Sequence, residues 1–368
     1  MLTRPSALIF LLVTINLLFS ICQASTFKVV FLNPGYPNDN TTGKFWSNVS
    51  LFMSAAAKDL DIELVTLYAN RNHILMKSLA AKIISHEPKY IILVNEKGIA
   101  SNLIKKVSSH KIPIFMLLNN LSDKDYASLT AKERDSIKGS IVPNNYLVGK
   151  QLIQGLLDIS KEISKLSPKT SSQKTLLALE GDFTTPAALE RERGLSDVVK
   201  LNNKVTLLDN TVANWSNEKA YYKVKGILKR ERVDIIWAAN DAMAFGAKKA
   251  VEESDLSYPV IIGGINWDVE KGISPINLSF GGHVTLGAFA LVMLKDIDSN
   301  VLPDNERHKV IDIFESSLKE FFPLFVQRLE AKNLESYDFL SFSRSSKQPL
   351  DFTIENLSAN YQEAKKTD

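Results

Sequence analysis

Short apolar strands and amphipathic helices alternate along this chain, and that alternation restricts its fold more than any other feature. FKVVFL (27–32), DIELVTLY (61–68), YIILV (90–94) and IPIFMLL (112–118) read as strands, with helices over about 45–60, 71–86 and 99–109 between them. Strands this apolar are buried on both faces of a parallel sheet, and the helical spacers are the crossovers such a sheet needs. Right-handed crossovers then set helices against both faces.

The rhythm breaks over 121–141, a charged, turn-prone stretch that reads as an interdomain or lid-like insertion. It resumes with a helix over 146–166, a Ser/Lys-rich linker (167–174), strands at 175–180, 204–209, 233–238, 258–266 and 276–280, and helices over 186–201, 217–229 and 286–297. The less regular end predicts a strand near 310–314, a helix near 320–331, a strand near 338–342 and a closing helix after Asp351. The chain of 368 residues is long enough for two domains. The expectation is an α/β fold of two doubly wound parallel-sheet lobes joined by a multi-strand hinge. The N-terminal lobe is assigned 25–119 plus about 282–305, the C-terminal lobe 120–281 plus about 306–345, and 346–368 a C-terminal extension. Two such lobes leave a cleft between their strand ends, where a bound ligand couples to hinge closure.

VDIIWAANDAMAFGAKKA (233–250) shows the unit in miniature: strand, polar break, helix. Asn240 or Asp241 can cap that helix. Ligands of open α/β sheets bind outside the carboxyl ends of the strands, so Asn240 also stands where a ligand is met. The residues leave both roles open.

The N-terminus reads as a secretory signal peptide, residues 1–24. Arg4 precedes an apolar run from Ala7 to Ile21, and Cys22-Gln23-Ala24 supplies small residues before polar Ser25-Thr26. An uncleaved anchor and a lipidated Cys22 are the alternatives, and Ile21 argues against the second. Cys22 is the sole cysteine, so cleavage after Ala24 leaves no thiol for catalysis, disulfides or zinc. The composition, 45% hydrophobic and 23% charged, is that of a soluble globular protein. A net charge of +3 without a basic cluster gives no case for nucleic acid.

Catalytic and metal signatures are missing. The five histidines, His73, His86, His110, His283 and His308, have no HxxxH or HExxH spacing. Phe45 follows Gly43-Lys44 where a phosphate loop needs Ser or Thr, and neither GxSxG nor GxGxxG occurs. With no nucleophile and base nominated, neither an enzyme nor a cofactor is expected, and no catalytic or metal-binding residue is assigned.

FLNPGYPND, PAALERERGLSDVV, WAANDAMAFGAKKAV, VIIGGINWD and GGHVTLGAFA, in this order and spacing, resemble the landmarks of type 1 periplasmic binding proteins. The likeness is to the ribose- and galactose-binding class, substrate-binding proteins of ABC transporters, and extends to the ligand-binding core of sugar-responsive repressors. It covers nearly all of the chain after residue 24. No DNA-binding helix-turn-helix stands ahead of the first strand, which argues against the repressor branch.

The resemblance implies that Arg191 reaches the cleft, where its planar fork would serve ligand hydroxyls or a carboxylate; a surface pair with Glu190 or Glu192 is the plainer alternative. It puts Asn240 at the family's cleft asparagine. Asn266 stands where sugar binders carry an Asp, so the ligand would differ from a free aldose or Asp268 would take over. Phe45, Trp46 and Trp267 are candidate rings for packing on a sugar face, with Trp46 alternatively a core residue. Asn95 and Glu96 end the third strand and Asn119 the fourth, both at cleft-facing positions. Gly281 and Gly282 read as hinge, His283 as cleft edge, and Trp215 as packing. The implied protein is periplasmic and closes on a small, sugar-like ligand for a membrane permease. A membrane sensor, such as a histidine kinase or cyclic-nucleotide synthase, is the alternative partner.

Overall fold

The computed structural model describes residues 27–38, 40–166, 173–270 and 272–362. The leader read over 1–24, with its Cys22, and most of the linker at 167–174 lie outside them.

Among the described residues, twelve strands make two sheets. They are β1 (Phe27–Asn33), β2 (Ile62–Tyr68), β3 (Tyr90–Leu93), β4 (Ile114–Leu117), β5 (Ile137–Pro143), β6 (Lys174–Glu180), β7 (Val205–Val212), β8 (Ile235–Ala238), β9 (Ile261–Ile265), β10 (Leu278–Gly281), β11 (His308–Ile311) and β12 (Glu315–Ser316). The first sheet runs β11-β5-β4-β3-β1-β2 and the second β12-β10-β9-β8-β6-β7. Every pairing is parallel except β10 with β12. Both sheets therefore turn back at the same point, between their first and third strands, and the loops leaving those strands open toward the place where such sheets bind ligands.

Burial follows from the strand sequences. β3, β4 and β8 are buried at every residue, as expected of strands with helices on both faces. In the first sheet Val29 and Phe31 point into one core and Val30 and Leu32 into another on the opposite face, the period-two alternation of a strand. The second lobe has its own core around Leu177, Ile236 and Trp237.

Two boundaries expected from sequence need correction. The stretch at 121–141 is not an insertion between lobes. It holds two short helices, Asp123–Ala127 and Ala131–Asp135, capped by Ser122 and by a Thr130–Glu133 capping box, which link β4 to β5 within the first sheet. The first lobe thus reaches Pro143, and β11 at 308–311 also belongs to it, paired with β5. The end of the chain is no appendage either: Phe342, Phe352, Ile354 and Leu357 complete the first core. The strand read near 338–342 is instead a turn of 3-10 helix, Leu340–Phe342.

The backbone crosses between lobes at 143–145, 281–283, 312–314 and again at 317–321. The first and third crossings lie side by side, since Asn144 donates its backbone N–H to Ile311 O at 2.9 Å and its Nδ2 to Asp312 Oδ1 at 2.8 Å. At the second, Gly282 takes φ 101°, and a Cβ there would stand 2.9 Å from Ile313 O, so glycine is required on both counts.

In the second lobe the helices Asn145–Leu166 and Pro186–Lys200 touch through their backbones. A Cβ on Gly149 would lie 2.1 Å from Arg191 O, and one on Gly194 2.2 Å from Tyr146 O. This contact sets the depth at which Arg191 enters the cleft. Gly226, in the helix Asn217–Leu228, faces open space. Alanine at 149 or 194 is expected to destabilise the protein by about 1–3 kcal/mol, because overpacking outweighs the gain in helix propensity. Gly226→Ala should stabilise it by about 0.5–1 kcal/mol. Denaturant melts of the three variants check the opposite signs.

Candidate ligand-binding site

Both sheets present their carboxyl ends to one cleft, and a cavity of about 540 Å³, counted out to its mouth, lies between the lobes. Direct bonds join the lobes around it, among them Ala187 N to Asn119 Oδ1 at 3.0 Å, Asn217 N to Thr41 O at 2.8 Å, and Lys97 N to Thr185 Oγ1 at 3.4 Å.

Arg191 is at its centre, 4% exposed. Its Nε donates to Asn145 Oδ1 at 2.9 Å, Nη1 to Ala239 O at 2.6 Å, and Nη2 lies 3.3 Å from His283 Nε2. The guanidinium carbon is 5.6 Å from the Phe314 ring and 5.9 Å from that of Trp215, within cation–π range. Burial pushes its pKa down to about 9, with Asp241 pulling the other way, so it stays a cation at neutral pH. The plainer alternative, a surface pair with Glu190 or Glu192, does not hold: Glu190 pairs with Arg193 instead.

His283 sits between Phe45, stacked at 4.6 Å, and Phe314, tilted at 4.5 Å. Burial first, and the Arg191 charge second, hold its imidazole well below the usual range, so it is neutral. A guanidinium only donates, so Nε2 accepts and the proton is on Nδ1. That Nδ1 is buried without a protein partner.

Of the residues expected from sequence, Phe45, Trp46, Asn119, Arg191, Asn240, Asn266 and His283 line the cavity. Asn240 has both of its open roles: its Oδ1 caps the following helix by accepting from Met243 N at 2.9 Å, its Nδ2 donates to Trp215 O, and the side chain lines the cavity. Trp46 likewise belongs to the first core and to the lining.

Asn95, Trp267 and Asp268 are not lining residues. Asn95 spends its amide on Asn120 O and Ala100 N. Trp267 turns away into the first core, edge-on to Phe321, Phe322 and Phe325 at 5.3–6.1 Å. Asp268 sits one step behind Asn266, accepting its Nδ2 at 3.3 Å. A buried carboxylate explains this turn. Asp241 accepts from Asp268 N at 2.8 Å and from Ser279 Oγ, which in turn accepts from Trp267 N. Those bonds hold Asn266 at φ 149° and Trp267 at φ 64°, positive values that non-glycine residues rarely adopt. Gly264 makes room, since a Cβ there would meet Asp241 Oδ1 at 2.2 Å.

Sequence reasoning missed Arg71, Asn145, Thr185 and the lining role of Trp215. Arg71 pairs with Glu96 at 2.7 Å, both largely buried. It precedes the helix His73–Ser85, on a left-handed turn (Asn70 φ 50°, Arg71 φ 55°) whose amides are tied to Gly35 O and Pro34 O. Trp215 donates Nε1 to Asp182 Oδ2 at 2.9 Å. Burial raises the Asp182 carboxyl, but the bonds from Trp215, Thr184 and Thr185 outweigh it and hold the group below its ordinary value. The available signal was positional: ANRN and ANWSN both follow strands at their carboxyl ends.

A family model described as a periplasmic binding protein domain matches residues 35–271. The chain belongs to that family. Among its relatives, the fructose import binding protein FruE of Bifidobacterium longum is 28% identical over 206 residues, covering 54% of this chain and 57% of the relative. A xylitol-binding protein of Mycolicibacterium smegmatis is 25% identical over 213 residues, covering 57% and 55%. The matched region thus spans a little over half the length of these curated relatives. The solved structure of a periplasmic sugar-binding protein from Pseudomonas fluorescens is 28% identical, with a TM-score of 0.74, over 90% of this chain and 99% of that one.

In this periplasmic binding protein the neutral, buried His283 carries a pH signature. The unfolded chain protonates its histidines near pH 6.5 while folded His283 resists, so the unfolded state binds more protons below that pH and stability falls as pH falls. The slope from this residue is at most about 1.4 kcal/mol per pH unit. His283→Gln is expected to lose less stability between pH 7.5 and 5.5 than the wild type, as read from denaturant melts at the two pH values.

Proposed function

We propose that this protein is a periplasmic solute-binding protein that closes its two lobes on a small polar ligand, a sugar or sugar-like molecule, and delivers it to an ABC-type importer. The observation that carries this reading is the cavity at the joined strand ends, lined from both lobes by Arg71, Asn119, Arg191 and Asn240 together with the rings of Phe45 and Trp215. A ligand there touches both lobes and so stabilises the closed state only. Amides and guanidinium groups suit hydroxyls, and rings suit the apolar face of a sugar. The names of the relatives, import and sugar-binding proteins, point the same way. The role is binding rather than catalysis, and export to the periplasm is assigned to the leader at 1–24.

A thermal-shift screen of sugars, polyols and sugar acids is expected to give a saturable rise in melting temperature for at least one compound, because a ligand of the folded state alone must raise it. Arg191→Ala and Asn240→Ala should each weaken that binding by about 1–3 kcal/mol. Asn240→Ala should also lose about 1 kcal/mol of stability with its helix cap. Wild-type affinity in both folded variants would overturn the site. Delivery is tested separately, by ligand-dependent stimulation of a reconstituted transporter ATPase; a change in the output of a membrane sensor instead would reassign the partner.

A further inference from the structure

The hydrogen-bonding balance of the cavity is lopsided. Three carboxylates stand close behind its wall, and each accepts from protein groups. Asp182 takes Thr184 N, Thr185 N and Trp215 Nε1, Asp241 takes Asp268 N and Ser279 Oγ, and Asp268 takes Asn266 Nδ2. Among the described lining residues the only carboxylate is Glu96, and Arg71 is paired with it. The amide oxygens of Asn119, Asn145 and Asn240 already accept from Ala187 N, Arg191 Nε and Met243 N. Only Asn266 is turned the other way, giving its amine to Asp268.

Donors are in surplus. Of the five N–H groups of a guanidinium, the bonds to Asn145, Ala239 and His283 use one on each nitrogen. One hydrogen is therefore left on each Nη of Arg191. His283 adds its unpartnered Nδ1–H. With Arg71 and Glu96 paired and His283 neutral, Arg191 is the one lining charge with no carboxylate at hydrogen-bond distance: it is 4% exposed, its bonded partners are all neutral, and the buried Asp241 acts on it only from behind the wall. A buried charge of this kind is costly until a counter-charge meets it.

We propose that the ligand is anionic: a sugar acid whose carboxylate takes the two spare N–H groups of Arg191, with the Nδ1–H of His283 as a further donor, while its hydroxyls meet Asn266 and the remaining amides. The inference rests on the sugar-like reading above and narrows it. Paired N–H groups on one plane match a carboxylate, and bonds of that kind are stronger than those to a neutral hydroxyl. A site built for a neutral aldose would instead expose many acceptors for hydroxyl donors; here the amide oxygens of Asn119, Asn145 and Asn240 are engaged, and among the described lining amides and carboxylates Asn266 and Glu96 are the acceptors that remain.

The test is a matched-pair titration of the purified protein, by calorimetry, with the common pentoses and hexoses, each beside its aldonate and, for the hexoses, its uronate. At least one acid should bind about tenfold or more tightly than its neutral parent. Arg191→Met should abolish that preference. A neutral parent binding as well as or better than its acids would overturn the anionic assignment and leave the sugar-binding reading standing. No binding by any member would overturn both. The wild-type preference decides the matter even if Arg191→Met does not fold.

Discussion

The guanidinium of Arg191 is the point on which the two-lobed arrangement turns. It bonds Asn145 just after the first crossing of the chain, His283 just after the second, and lies over Phe314 at the end of the third. One buried cation thus contacts three of the four crossings that carry the chain between the lobes, and it does so in the lining of the cavity. It gets there because Gly149 and Gly194 let two helices meet backbone to backbone. Anything that changes the charge balance around it, a ligand anion above all, acts on the hinge and the site together.

A second layer of charge does different work. Asp182 and Asp241 are turned toward backbone and side-chain N–H groups, where they hold the chain in conformations it would otherwise avoid. Several residues around the cavity sit at positive φ, among them Arg71, Trp215 and Asn266. Such conformations persist only where the surroundings over-determine them. The acceptors that hold these turns are the ones no longer free to face a ligand, so the local geometry and the donor-rich character of the cavity have one cause.

The C-terminal segment shows how far packing reaches. Trp267 leaves the second lobe and enters the first core, edge-on to three phenylalanines, Phe321, Phe322 and Phe325, of the returning segment. Its indole was legible in sequence as an aromatic ring next to a cleft residue, and the resemblance made it a candidate for packing on a sugar. Two successive positive φ values at 266 and 267 reverse that direction. No periodicity announces them, because they are imposed by Asp241, twenty-five residues and more away in sequence.

The sequence alone determined the alternation of strand and helix, and with it two parallel sheets, their switch points and the strand ends at which a ligand must sit. Apolar runs and turn residues encode these locally, so Asn119, Arg191, Asn240 and His283 could be named by position and resemblance. Only the tertiary structure decided the rest: that β5 and β11 join the first sheet, that the segment 325–357 completes its core, that Arg71 and Trp215 line the cavity, and that Trp267 does not. Each of these depends on which distant groups meet, on a hydrogen-bond partner or a hole in a core, and a local pattern carries no record of a partner it has not yet touched.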